Sequence, residues 1–239
     1  MSLLVGGSLI TAPSPPGGFG RRTGRSRKRA GGAKAAGPPA AAPELDGLVT
    51  VVLGSRGGVG ATTCAVTIAG TLLRQGSRVC LVDLAPSGGH VALQLRLGTG
   101  VTWRNLPAAP DTTAVAQALV RHDSGLVVLA APSQPVRQGP SADSFRHTLE
   151  ALQIFFTQVV IDAAPLLDGA TEVAIAAADQ IVVMCTPEVG AVHSTIGTLQ
   201  ALGGLRRPQA RVIVVLNQVT PEANLPASAI EKALGKPGL

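Results

Sequence analysis

Six short apolar runs, at Leu48–Gly54, Val79–Asp83, Leu126–Ala130, Val159–Asp162, Ile181–Cys185 and Val212–Leu216, constrain this chain more than any other feature. Each is rich in Val, Ile and Leu and shows no polar alternation, so each reads as a strand buried on both faces. The stretches between them are long enough to hold a helix. Strands of this kind joined by helical crossovers imply an α/β fold, a mostly parallel sheet with helices on both faces. Ligands of such sheets sit outside the carboxyl ends of the strands. Asp83, Asp162 and Asn217 all fall at such ends.

The first run continues without a break into Ser55, Arg56, Gly57, Gly58, Val59, Gly60, Ala61, Thr62 and Thr63. Glycines let successive N–H groups turn inward, and a helix opening near Thr62 adds the positive end of its dipole, so the loop is suited to phosphate oxygens. Ala65, Ile68, Ala69, Leu72 and Leu73 then recur at helical spacing, with Gly76 as the C-terminal stop. A phosphate loop of the Walker A pattern, G-x-x-x-x-G-K-[ST], places a lysine on the terminal phosphates and a hydroxyl on Mg²⁺. Here Ser55 stands at the first glycine, Gly60 at the second, Ala61 at the lysine and Thr62 at the hydroxyl.

The stretch resembles the deviant Walker A loop, K-G-G-x-G-K-[ST]-[ST], of the ParA/MinD ATPases, with Arg56 at the early lysine that contacts nucleotide across a dimer. The GGVGATT form resembles the CpaE/TadZ branch, as do residues 122–132 and 216–235, and the likeness runs from about residue 48 to the end. It implies a phosphate-loop NTPase fold, ATP or ADP with Mg²⁺ as ligands, a nucleotide-dependent homodimer, and partners in pilus or secretion machinery. Residues 55–63 would line the nucleotide, and Arg56 is the candidate catalytic cation. Thr62, Asp83 and Asp162 would lie at the metal. Asp162, in VVIDAAP, matches the Walker B aspartate. Asp83, in LVDLAP, matches the first aspartate of a V-D-x-D-P switch whose second, water-orienting aspartate is here Ala85; a turn-capping role for Asp83 competes with one near the metal. Asn217 matches the asparagine that reads the adenine edge, since an amide offers a donor and an acceptor, and a turn-forming Asn is the competing account. Thr186 and Pro187 fit either nucleotide contact or a plain strand-to-helix loop. In that family a further strand and helix usually follow the position of Leu239, so the resemblance implies a domain shortened at its C-terminus.

Composition divides the chain at residue 47. Residues 1–47 are crowded with Gly, Pro, Ala and basic side chains and offer little to bury, so they read as a disordered tail, with residues 48–239 as the nucleotide-binding domain. Nearly all of the formal net charge of +6 belongs to that tail. The high overall charge is therefore no argument for a basic nucleic-acid groove on the domain. The cluster within residues 21–34 suits weak contact with nucleic acid or an anionic membrane; a solvated tail or a misassigned start codon accounts for it equally. Only Phe19 is interleaved with the charges, which gives base stacking little support.

The apolar N-terminal decapeptide lacks a basic flank and is too short to span a bilayer, so no signal peptide or transmembrane helix is expected. The expected location is cytoplasmic, with peripheral contact at the inner face of the membrane. Cys64, Cys80 and Cys185 match neither a disulfide framework nor a metal site and read as core residues. His90, His122, His147 and His193 are scattered and suggest no histidine-based site.

A charge-assisted contact from the loop lysine is worth about 1.5 to 3 kcal/mol, or roughly one to two decades of affinity. Backbone amides and Mg²⁺ remain, so nucleotide can still bind. Catalysis loses more, because phosphoryl transfer rests on positioned charge. The chain has no lysine between Lys34 and Lys232 to replace Ala61, which leaves Arg56. Three functions follow: a slow ATPase switch that positions a pilus or secretion complex, a non-hydrolysing adaptor that keeps the fold, and a DNA-partitioning ATPase.

Overall fold

A computed structural model describes residues 47–86, 88–98, 100–164, 168–219 and 225–235. The tail expected over residues 1–47 lies outside these apart from Gly47, which is buried and whose carbonyl accepts a hydrogen bond from Gln153 at 2.8 Å.

All six apolar runs are strands: β1 (Leu48–Gly54), β2 (Val79–Asp83), β4 (Val127–Leu129), β5 (Gln158–Ala163), β6 (Gln180–Cys185) and β7 (Arg211–Leu216). They pair in parallel, and with β3 (Leu119–Arg121) they form a seven-stranded sheet in the order β3-β4-β2-β5-β1-β6-β7. β1 sits between β5 and β6, so the chain leaves the central strand and returns to the sheet on both sides of it. That is the crevice where open α/β sheets bind ligands.

β3 is the one departure from the expected crossovers. It runs antiparallel to β4 at the sheet's edge, joined by a tight turn in which Gly125 N–H donates to the His122 carbonyl and His122 N–H to the Leu126 carbonyl. The strand is only Leu-Val-Arg and partly exposed, too short to leave an apolar signature.

The helices are α1 (Ala61–Arg74), α2 (His90–Gln94), α3 (Thr112–Gln117), α4 (Ala142–Phe155), α5 (Gly169–Ala177), α6 (Val189–Leu205) and α7 (Ala227–Ala233). α1 ends where the sequence indicates. Gly76 takes a left-handed φ of 87°, its N–H donates to Leu73 and that of Ser77 to Leu72, which closes the last carbonyls of the helix.

Strand periodicity sorts the core into two layers. Val49, Val51 and Leu53 of β1 pack with Ile161 of β5 against Phe145 and Leu152 of α4 and Ile175 of α5. The opposite face of the sheet, with Val52, Leu81, Val160 and Val182, packs against Ala65 and Ala69 of α1 and Val91 of α2. Full burial of one such side chain contributes about 1.5 to 3 kcal/mol. The same period of two puts Asp83, two residues after Leu81, and Asp162, two after Val160, on the α1 face. They are register partners on adjacent strands.

Candidate functional site

Beyond the carboxyl ends of β1 and β5 lies a cavity of about 470 Å³, lined by the loop from Arg56 to Thr63, by Ala85, His90 and Gln94, and by Asp162 to Ala164. Its loop wall is mainly backbone. Gly60 precedes α1 with φ 93°, a conformation that L side chains rarely adopt, and no side chain caps the helix. The first intrahelical bond is Cys64 N–H to the Gly60 carbonyl, so the N–H groups of Ala61, Thr62 and Thr63 precede the helical ladder at the cavity. A Cβ on Gly57 or Gly58 would meet no protein atom within 4 Å. An uncapped helix start beside an open glycine turn is a cradle for an anion.

Asp162 closes the floor. It is 3% exposed, and its Oδ2 has no hydrogen-bond partner among the described residues. Burial pushes its pKa up to about 7, the Thr62 hydroxyl pulls it down, and the charge of Asp83 raises it further. A buried carboxylate oxygen without a partner is costly unless a proton or a cation meets it. Asp162 with Thr62 fits Mg²⁺, which commonly takes one or two protein oxygens and completes its shell with water and phosphate. Among the described residues no cluster of three His, Cys, Asp or Glu side chains could hold a metal alone.

Asp83 is placed differently. Its Oδ1 accepts from Ala85 N–H at 3.0 Å and its Oδ2 from Val91 N–H at 3.1 Å, so the carboxylate ties down the segment leading into α2. That is the turn-capping arrangement. Its backbone carbonyl accepts the Trp103 indole N–H at 2.9 Å, and Pro86 and Gly89 bond to Val136 and Pro132. Burial raises the Asp83 pKa, while the two backbone N–H groups and nearby His90 lower it.

Asn217 lies behind the loop and not on the cavity wall. Its amide Nδ2 donates to the Val59 carbonyl at 3.0 Å, and a Cβ on Gly60 would come within 2.5 Å of that nitrogen. One of its two amide N–H groups thus holds the loop. Ser55 also lies behind the loop; its hydroxyl is buried and has no partner among the described residues. Arg56 reaches the rim, where it pairs with Glu188, the N-cap of α6, at 3.1 Å, both side chains nearly half exposed. Thr186 and Pro187 are buried, and the Thr186 carbonyl accepts from Cys185 Sγ.

The cavity thus gathers the residues from Arg56 to Thr63 and Asp162, together with Ala61 and Ala85, the two positions at which the resemblance expects a lysine and an aspartate. It also takes in two side chains that the sequence did not suggest, His90 and Gln94. Their four-residue spacing on one helix was the available signal, but α2 is too short to announce itself. The cysteines are free, and burial raises the Cys64 thiol to about 11 and Cys80 to about 12, as suits packing residues. No helix of the described residues is long and apolar enough to cross a membrane.

A phosphate-loop α/β domain is therefore the class that fold and site define. The family model described as "CobQ/CobB/MinD/ParA nucleotide binding domain" matches residues 50–239, and the chain belongs to this family. It is 33% identical over 187 residues to the chromosome-partitioning ATPase Soj of Thermus thermophilus, covering 75% of this chain and 72% of that one. It is 26% identical over 179 residues to the septum site-determining protein MinD of Synechocystis sp.. That match takes in 73% of this chain, which spans only 65% of the length of the MinD relative. Among solved structures, the cell division ATPase MinD of Pyrococcus furiosus superposes with a TM-score of 0.66 at 18% identity, covering 79% of each chain. Cobyrinic acid a,c-diamide synthase of Mycobacterium smegmatis, solved with ADP and magnesium, gives 0.55 at 25% identity over 69% of this chain and 71% of that one.

Proposed function

We propose that this chain is an ATP-binding switch protein of CpaE/TadZ type, whose nucleotide-bound homodimer positions or assembles a pilus or secretion apparatus and turns ATP over slowly or not at all. The observation that carries the reading is the pairing of an intact backbone cradle with neutral alanines at the two charged positions around it. The N–H groups from Gly57 to Thr63 bind phosphate oxygens. Thr62 and Asp162 hold Mg²⁺, with Asp83 beside them fixing the segment that carries Ala85. Held there, Mg²⁺ would supply charge neutralisation for the phosphates. Asn217 contacts the base with its side-chain carbonyl oxygen. Arg56 meets phosphate, in its own subunit or across the dimer, when it leaves Glu188. The synthase solved with ADP and magnesium supports the ligand pair. Partition of DNA is the second reading, favoured by the 33% identity to Soj and by the basic residues 21–34.

Calorimetry of the full chain with ATP and Mg²⁺ tests the proposal, together with phosphate release on the same preparation. Binding in the micromolar range or weaker, with little release, is expected. No heat at millimolar ATP overturns the switch, and brisk turnover overturns the slow-hydrolysis part.

A further inference from the structure

Both walls of the cavity face any nucleotide seated on the loop, and they differ in the charged and amide side chains they bring to it. The side chains lining the cavity that can bear positive charge are Arg56 and His90, among the described residues. Arg56 is engaged by Glu188 at 3.1 Å. His90 is exposed at the start of α2, opposite the glycine loop and beside Ala85. Gln94 lies four residues on, on the same face of the helix, and also lines the cavity. The position of this wall is fixed from beneath, because Asp83 Oδ2 accepts the N–H of Val91, the residue next to His90.

An imidazole N–H and a side-chain amide are both phosphate donors, and an imidazole adds charge when protonated. The loop contacts phosphates through its backbone and has Ala61 where a lysine would reach outward. We propose that His90, assisted by Gln94, donates to the terminal phosphate of a bound nucleoside triphosphate, so that the α2 wall distinguishes triphosphate from diphosphate in place of the loop lysine. This rests on the reading of the cavity as a nucleotide site. A diphosphate seated on the same loop lacks the group that α2 would meet. The contact therefore acts on the ratio of the two affinities more than on either alone.

The test is calorimetric titration of the full chain and its His90→Ala, His90→Lys and Gln94→Ala variants with Mg-ATP and with Mg-ADP. The ratio of ATP to ADP affinity should fall about tenfold in His90→Ala, since one charge-assisted hydrogen bond is worth that much. His90→Lys should restore it, and Gln94→Ala should lower it severalfold. A ratio unchanged in His90→Ala, with the wild type binding both nucleotides, overturns this inference and leaves the nucleotide site standing. A wild type that binds neither nucleotide overturns both. His90 is exposed, so thermal melting is expected to show all variants folded. A variant that melts early is replaced by the imidazole proton shifts of wild-type His90, which should move with Mg-ATP and not with Mg-ADP; equal shifts overturn the inference.

Discussion

The two walls of the cavity are built from different materials. The loop wall, residues 56–63, uses backbone N–H groups placed by glycines and by the start of α1. The facing wall, made by Ala85, His90 and Gln94, uses side chains whose backbone is placed by hydrogen bonds from Ala85 and Val91 N–H to Asp83. A backbone site depends on a few conformations that only glycine adopts readily, so its shape does not rest on which side chain stands at position 61. A side-chain site changes its chemistry with each substitution. Ala85 itself is held through its backbone N–H on Asp83, so its side chain can vary without disturbing how this wall is held. Substitutions on the two walls should therefore act differently, on loop conformation in one and on side-chain chemistry in the other.

The largest effect on this comparison should come from the loop. In Gly60→Ala the new Cβ takes a φ of 93° and lies 2.5 Å from the Asn217 amide, so both the backbone and its brace are strained. A loss of about 2 to 4 kcal/mol is expected from the two terms together. Thermal or urea unfolding measures it, and nucleotide binding should vanish even where the variant remains folded. A variant as stable as the wild type, with unaltered binding, would show that the loop geometry does not depend on this residue.

The same contrast accounts for how much could be read from the sequence. The sheet was legible because β1, β2, β5 and β6 are buried on both faces, which forces unbroken runs of Val, Ile and Leu. The glycine loop was legible because its function lies in conformations that only certain residues allow. β3 was not, since three half-exposed residues in a hairpin leave no periodic trace. Nor were His90 and Gln94, whose relevance comes from the chain folding α2 over a loop some thirty residues earlier. Asp83 and Asn217 are found by position, with two accounts open for each, because whether a strand-terminal carboxylate meets a metal or a backbone N–H depends on where the next turn runs. Here it runs back over Asp83 to Val91.

Asp162 should produce the next effect, through pH. Its pKa is about 7 in the fold against an ordinary 3.8, so between these values the folded chain holds more protons than the unfolded one. Stability of the ligand-free protein therefore falls as pH rises from 4 through 7. The burial of Asp83 acts in the same direction. Asp162→Asn removes the ionisation, and its melting temperature should be flatter over that range and above the wild type's at pH 8, by about 1 to 3 kcal/mol in stability. Mg²⁺ should stabilise the wild type more at pH 8 than at pH 5, because the metal needs the carboxylate ionised, and this response should be absent from the variant. An equally steep pH profile in Asp162→Asn would mean that another group governs it.

The smallest effect, and the sharpest comparison of the two walls, concerns Arg56. Its pair with Glu188 is nearly half exposed on both sides, and such pairs contribute at most about 1 kcal/mol. Arg56→Ala should therefore hardly change the melting temperature. If Arg56 serves the phosphates, the pair competes with nucleotide for the guanidinium. Releasing it through Glu188→Gln should then raise Mg-ATP affinity roughly twofold to fivefold, the size expected from up to about 1 kcal/mol when 1.4 kcal/mol is tenfold. Arg56→Ala should lower that affinity, and the double variant should match Arg56→Ala alone, because Glu188 acts only through the arginine. Titration of the four proteins with Mg-ATP decides the matter. Equal affinities in all four would assign Arg56 to the rim of α6 and leave the α2 wall as the source of the side-chain contacts to phosphate.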